Sequence, residues 1–114
     1  MSWGVLEELS LPDKVREAIE GFVARVGELY PDARIYLFGS FARGTWLDDS
    51  DVDVVVVSRA FEGMEFWERG AMLRRLASRE VPFEILAYTP EELEERLKRS
   101  VVLQDASEYW VRLR

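Results

Sequence analysis

The stretch that decides the fold runs from residue 34 to residue 57 and reads RIYLFGSFARGTWLDDSDVDVVVV. Its two ends, 34–38 and 51–57, are rich in apolar and β-branched residues, which predicts two buried strands. The first strand ends directly at Gly39-Ser40, and residues 45–50 read as a polar loop. A strand–loop–strand unit is therefore predicted, with the second strand in the interior of a sheet.

Periodicity and capping signals extend the prediction outward from this unit. The predicted elements are a helical turn over 41–43, helices over 12–29, 61–78 and 90–99, a strand over 83–88, and a tail with a short helix to Ala106 and a strand over 109–113. The second long helix is expected to turn one stripe inward, made up of Met64, Trp67, Met72, Leu73 and Leu76. This order predicts a sheet covered by helices, in a single domain of residues 1–114.

The composition excludes several kinds of chemistry. The chain has no cysteine and no histidine, so disulfide frameworks, thiolate catalysis, histidine zinc sites and Ser-His-Asp hydrolysis are ruled out. No apolar run is long enough to cross a membrane and no secretory signal is recognisable, so a cytoplasmic location is expected. The formal net charge of -7 argues against direct binding to nucleic acid and suits a partner with a basic surface.

Asp51 and Asp53 conflict with the strand that they open. Side chains two residues apart point to the same face of a strand, so the two carboxylates repel, and aspartate is a poor strand residue. A divalent cation removes this conflict, because carboxylate oxygens are ligands that Mg²⁺ prefers. A solvated strand entry, helped by Asp48 and Asp49, is the alternative. A calcium-binding loop is a third alternative, but this stretch lacks the glycine and the distal glutamate that an EF-hand loop requires.

Gly39-Ser40 adds a second chemical signal one loop upstream. A glycine directly after a buried strand, followed by a hydroxyl at a helix start, leaves backbone amides that can hold a phosphate. The alternative is a tight turn at Gly39 with Ser40 as an ordinary N-cap. Next to a strand with paired aspartates, the Gly-Ser pair is interpreted as half of a nucleotide site.

Together, residues 38–44 and 50–56 resemble the nucleotidyltransferase superfamily related to DNA polymerase beta, and within it the minimal nucleotidyltransferases. The signature of that family is Gly-Ser, a spacer and Asp-x-Asp, with a third carboxylate on a later strand; here ten residues separate Ser40 from Asp51. The likeness covers residues 34–90. It implies an α/β (α+β) fold of the nucleotidyltransferase type, with a small mixed β-sheet flanked by helices.

The resemblance also implies a reaction, in which a nucleoside monophosphate moves from a nucleoside triphosphate, taken to be ATP, onto a hydroxyl. Asp51 and Asp53 are implied to ligate two Mg²⁺ ions, while the Gly39 amide and the Ser40 hydroxyl hold the β- and γ-phosphates. Glu84 is the candidate for the third carboxylate, as metal ligand or as base, because it is a charge within an apolar strand. The family usually has aspartate there, and an edge-strand charge that deters sheet pairing is the alternative.

Two further side chains are assigned with alternatives. Arg43 is either a phosphate contact or an ordinary exposed arginine. Trp46, in the loop that faces the predicted site, either stacks on a base or packs in the core.

The resemblance implies an acceptor as well. Some minimal nucleotidyltransferases are antitoxins that transfer AMP to a tyrosine of a partner HEPN-domain toxin encoded by a neighbouring gene. A hetero-oligomer with such a partner is expected. Candidates for a contact surface with a partner or a second copy are Trp3, Phe66 and Trp110, and the alternative for each is a place in the core. The alternatives are transfer to a small molecule such as an aminoglycoside, for which 114 residues leave no acceptor domain, and a catalytically weak nucleotide-binding module.

Overall fold

A computed structural model describes residues 4–114 of the chain. The helices are α1 Gly4–Glu8, α2 Asp13–Leu29, α3 Gly39–Arg43, α4 Phe66–Arg74, α5 Pro90–Arg99 and α6 Val101–Tyr109, and a 3-10 turn lies at Arg59–Phe61. The strands are β1 Arg34–Phe38, β2 Val52–Val57, β3 Phe83–Tyr88 and β4 Val111–Arg112. Among the described residues, no helix is both long enough and apolar enough to span a bilayer.

The four strands form one mixed sheet in the order β3-β2-β1-β4. β1 pairs antiparallel with β2 and with β4, whereas β2 and β3 run parallel. The valine-rich β2 is an inner strand, and its residues from Val54 to Val57 are buried on both faces. The predicted sheet flanked by helices is confirmed, and β2 is the element on which the rest of the domain is assembled.

Helices cover both faces of the sheet. On one face α2 packs an apolar stripe onto β1 and β2. Its buried residues are Val15, Ala18, Ile19, Phe22, Val23 and Val26. On the other face α5 and α6 contribute Leu93 and Leu103 to a smaller cluster around Tyr36 and Tyr88. The two clusters hold the ends of β1 and β2 in place, and these ends carry the residues singled out above.

The helix predicted over 61–78 is shorter than expected. The chain forms a turn in front of it, with Gly63 at a φ of +79°, so that α4 starts only at Phe66 and ends at Arg74. Part of the predicted inner stripe is also wrong, because Trp67 is 73% exposed and Met72 is 40% exposed, while Leu73 is fully buried.

The tail also differs from its prediction. α6 continues through Tyr109 instead of ending at Ala106, and β4 contains only Val111 and Arg112. Its register partners in β1 are Tyr36 and Leu37, and beyond the strand the Leu113 amide donates to the Ile35 carbonyl at 2.8 Å. The extra turn of helix places Tyr109 over the end of β1.

Arg69 is the polar residue that α4 buries. It is 3% exposed, and its guanidinium donates to both carboxylate oxygens of Glu92 and to the carbonyl oxygens of Met64 and Ala87. Glu92 in turn accepts from the Thr89 amide in the predicted capping box of α5. The hydrogen bond from Arg69 is the largest cause of a lowered pKa at Glu92. This pair therefore connects α4, β3 and α5.

We expect Glu92→Ala to lower the free energy of unfolding by about 3 kcal/mol, because it leaves the Arg69 guanidinium buried without its carboxylate. The control is Glu95→Ala on the same helix, whose pair with Arg99 is exposed on both sides and which should cost about 0.5 kcal/mol or less. Urea unfolding of the two variants measures the difference. Equal losses would show that the buried pair adds nothing beyond an exposed one.

Candidate active site

Gly39 lies where β1 passes into α3, and its conformation disfavours any residue with a side chain. Its φ is +74°, in the left-handed region that favours glycine. A Cβ atom at this position would lie 2.9 Å from Cγ of Asp53 and would overlap Oδ2 of the same side chain. The glycine therefore makes room for the Asp53 carboxylate against the backbone of the Gly-Ser turn.

Asp53 and Glu84 lie side by side on adjacent strands. They are register partners in the parallel pair β2–β3, and Glu84 is exposed on the edge strand. Burial, the charge of Glu84, a hydrogen bond with Glu84 and the charge of Asp51 together raise the pKa of Asp53 from 3.8 to about 6. Burial and the neighbouring carboxylates thus favour the protonated form of Asp53 relative to an ordinary aspartate.

Asp51 directly precedes β2 and is exposed. Within residues 4–114, no three acidic side chains are gathered closely enough to form a metal site from protein groups alone. Mg²⁺ is commonly bound by one or two carboxylates together with substrate phosphates and water, rather than by a complete protein cage. The oxygen ligands and the mutual repulsion at Asp53 and Glu84 fit such an ion, with Asp51 at the rim.

The phosphate side of the predicted site is α3. Its N-cap is Phe38 without a side-chain cap hydrogen bond, so Ser40 is not the N-cap that the alternative interpretation required. The Gly39 amide donates to the hydroxyl of Tyr109 at 3.2 Å, and is thus already engaged within the chain.

Arg43 ends α3 and is half-exposed. Its guanidinium lies 3.8 Å from the Asp105 carboxylate and 4.4 Å from the centre of the Tyr109 ring. Both partners come from α6, so the tail helix contacts α3 at its start and at its end. Sequence reasoning did not identify Tyr109 or Asp105, because a helix residue and a surface aspartate carry no local signal of such a contact.

The remaining predicted residues lie around this site. The ring of Trp46 stacks on that of Phe41, with 5.8 Å between the ring centres, and it is partly buried against the core. This favours the packing alternative. Phe66 is 49% exposed. Trp110 is half-buried, and its ring stacks on that of Tyr36 with 4.4 Å between the ring centres. Trp3 lies outside the described residues.

The four-stranded mixed sheet covered by helices, with the Gly-Ser turn packed against Asp53, is a fold of the nucleotidyltransferase class. Residues 19–109 match the family described as the nucleotidyltransferase domain. The match covers most of the chain, and the chain belongs to this family.

Solved structures have the same fold. A presumed nucleotidyltransferase from Sulfolobus solfataricus superimposes with a TM-score of 0.60 at 24% identity, covering 80% of this chain and 78% of that one. A toxin–antitoxin structure containing AMP-PNP gives a TM-score of 0.56 at 21% identity, covering 83% of this chain and 71% of that one. At these sequence identities the likeness establishes a shared fold and nothing further.

Proposed function

We propose that this nucleotidyltransferase-domain protein transfers AMP from Mg·ATP to a tyrosine hydroxyl of a partner protein of the HEPN type, and so acts as an antitoxin. The observation that carries the proposal is the pairing of Asp53 with Glu84 across β2 and β3, directly against the Gly39 turn. A raised pKa and mutual repulsion cost stability, which a protein retains where the carboxylates serve a function.

The residues of the site have separate roles in this proposal. Asp53 and Glu84, with Asp51 at the rim, hold Mg²⁺, which neutralises triphosphate charge and polarises the phosphate when bound. Ser40 and Arg43 bind the β- and γ-phosphates. Gly39 contributes by having no side chain, so that Asp53 packs against the turn.

The transfer is a displacement at the α-phosphorus. The tyrosine oxygen forms a bond to the α-phosphorus, the bond to the bridging oxygen breaks, and pyrophosphate leaves. Glu84, the exposed carboxylate of the pair, accepts the hydroxyl proton.

A partner protein as acceptor is supported by the surface and by a structural neighbour. Two pairs of adjacent apolar side chains are exposed, Phe66 with Trp67 and Val101 with Val102, and such side chains are commonly covered by partners. The net charge of -7 suits a basic partner. One protein of the same fold was solved as a toxin–antitoxin with AMP-PNP.

The test is the intact mass of the protein encoded next to this chain, measured after co-purification and incubation with Mg·ATP. Whole AMP increments on a tyrosine of that protein support the proposal, provided that Asp51→Asn and Asp53→Asn abolish them. Parallel reactions with CTP, GTP and UTP identify the base. Nucleotide binding without any increment would contradict the protein acceptor and favour a small-molecule acceptor or a binding module.

A further inference from the structure

Tyr109, the last residue of α6, contacts both ends of α3. Its hydroxyl accepts the hydrogen bond of the Gly39 amide at 3.2 Å, at the start of the helix. Its ring lies beneath the Arg43 guanidinium, with 4.4 Å from Cζ to the ring centre, at the end of the helix. One side chain therefore connects the Gly-Ser turn to the cation that follows it.

We propose that Tyr109 is a positioning residue, which holds the Arg43 guanidinium in place to bind the triphosphate of the nucleotide. The inference rests on the proposed function, and it assigns to α6 a role in substrate binding. Tyr109 acts through Arg43, because its ring contacts the guanidinium and its hydroxyl accepts from the Gly39 amide.

The short length of α3 explains why such support is needed. A helix of five residues, such as α3, is not stable on its own in water, because helix nucleation is unfavourable and few hydrogen bonds form. Arg43 is also a flexible side chain, half-exposed at the end of that helix. Without the Tyr109 ring, the guanidinium would lose side-chain entropy on binding a phosphate.

The contact with the Tyr109 ring leaves the guanidinium able to bind anions. The ring below Cζ offers no oxygen acceptor, so the N–H donors of Arg43 are not used in conventional hydrogen bonds to it. The remaining contact, with Asp105, is 3.8 Å long and exposed on both sides, so it is weak. A triphosphate therefore displaces Asp105 while the ring contact persists.

The test compares Tyr109→Leu, which removes the ring, with Tyr109→Phe, which retains it. Isothermal titration of Mg·ATP should show a Kd raised about tenfold by Tyr109→Leu and by Arg43→Ala, and changed about twofold or less by Tyr109→Phe. The double variant Tyr109→Leu/Arg43→Ala should again be about tenfold weaker, not a hundredfold, because both changes remove the same interaction. In the transfer assay KM should rise while kcat stays the same.

Trp110→Leu is the control for a general loosening of the tail, because Trp110 stacks on Tyr36 and not on α3. It should lower the Tm while leaving the Kd of Mg·ATP unchanged. Three results would overturn the inference alone: wild-type affinity in Tyr109→Leu, an equal loss in Tyr109→Phe, or additive losses in the double variant. If the wild-type chain binds no Mg·ATP, the proposed function fails and this inference fails with it.

Discussion

Asp53→Asn should lower nucleotidyl transfer by about a thousandfold or more and raise the Tm of the ligand-free protein at pH 7. The activity falls because an amide is a poor ligand for Mg²⁺. The stability rises because the amide removes both the cost of burying a charge and the repulsion from Glu84 and Asp51, which raise the pKa of Asp53. Opposite changes in activity and stability indicate a functional residue.

The matched control is Asp49→Asn, an exposed carboxylate in the loop before β2. It should leave the transfer rate and the Tm close to those of the wild type. The increase in Tm that Mg·ATP produces in the wild type should vanish in Asp53→Asn and persist in Asp49→Asn. Equal Mg·ATP shifts in all three proteins would rule out Asp53 as a ligand.

The wild type and Asp53→Asn also allow a test of how stability depends on pH. The pKa of Asp53 is about 6 in the folded chain and 3.8 as an ordinary value, so the folded state binds more protons between these pH values. The folded state should therefore lose stability as the pH rises through this window, relative to Asp53→Asn, by about 1 kcal/mol allowing for solvent screening. Urea titrations of both proteins at pH 4 and pH 7, without metal, measure this difference. A constant difference across the window would contradict the raised pKa.

Gly39→Ala should reduce transfer by about a hundredfold and cost about 3 kcal/mol of stability, combining backbone strain with a steric collision. The added Cβ takes the space of the Asp53 carboxylate, which then has to move away from the turn. Gly44→Ala separates the two causes, since Gly44 has a φ of +77° and no described atom within 4 Å of its added Cβ. It should cost about 1 kcal/mol and retain activity.

A double-mutant cycle identifies the group that the Cβ meets. In an Asp53→Ala background the carboxylate is absent, so Gly39→Ala should cost only about as much as Gly44→Ala. Urea unfolding of the four proteins gives the coupling. If the cost of Gly39→Ala is the same with and without the Asp53 side chain, the collision is not the reason for glycine at this position.

Local patterns were sufficient for most of the secondary structure. β1, β3 and α5 have the predicted bounds, because apolar runs, proline and the Thr89 capping box act within a few residues. α4 was predicted too long, since its periodicity continues through the Gly63 turn. The choice of which α4 side chains are buried was wrong for a different reason. Arg69 can be buried because it pairs with Glu92, and Glu92 lies on another helix.

The same distinction applies to the site. The sequence by itself determined the Gly-Ser turn and the paired aspartates, because these are local departures from what strands and turns tolerate. Only the tertiary structure decided that Glu84 lies beside Asp53, since the parallel register of β2 and β3 sets that pairing. It also decided that Tyr109 contacts Gly39, 70 residues away along the chain. Contacts of this kind depend on how the elements pack against one another, and side-chain periodicity within one element contains no information about its partner.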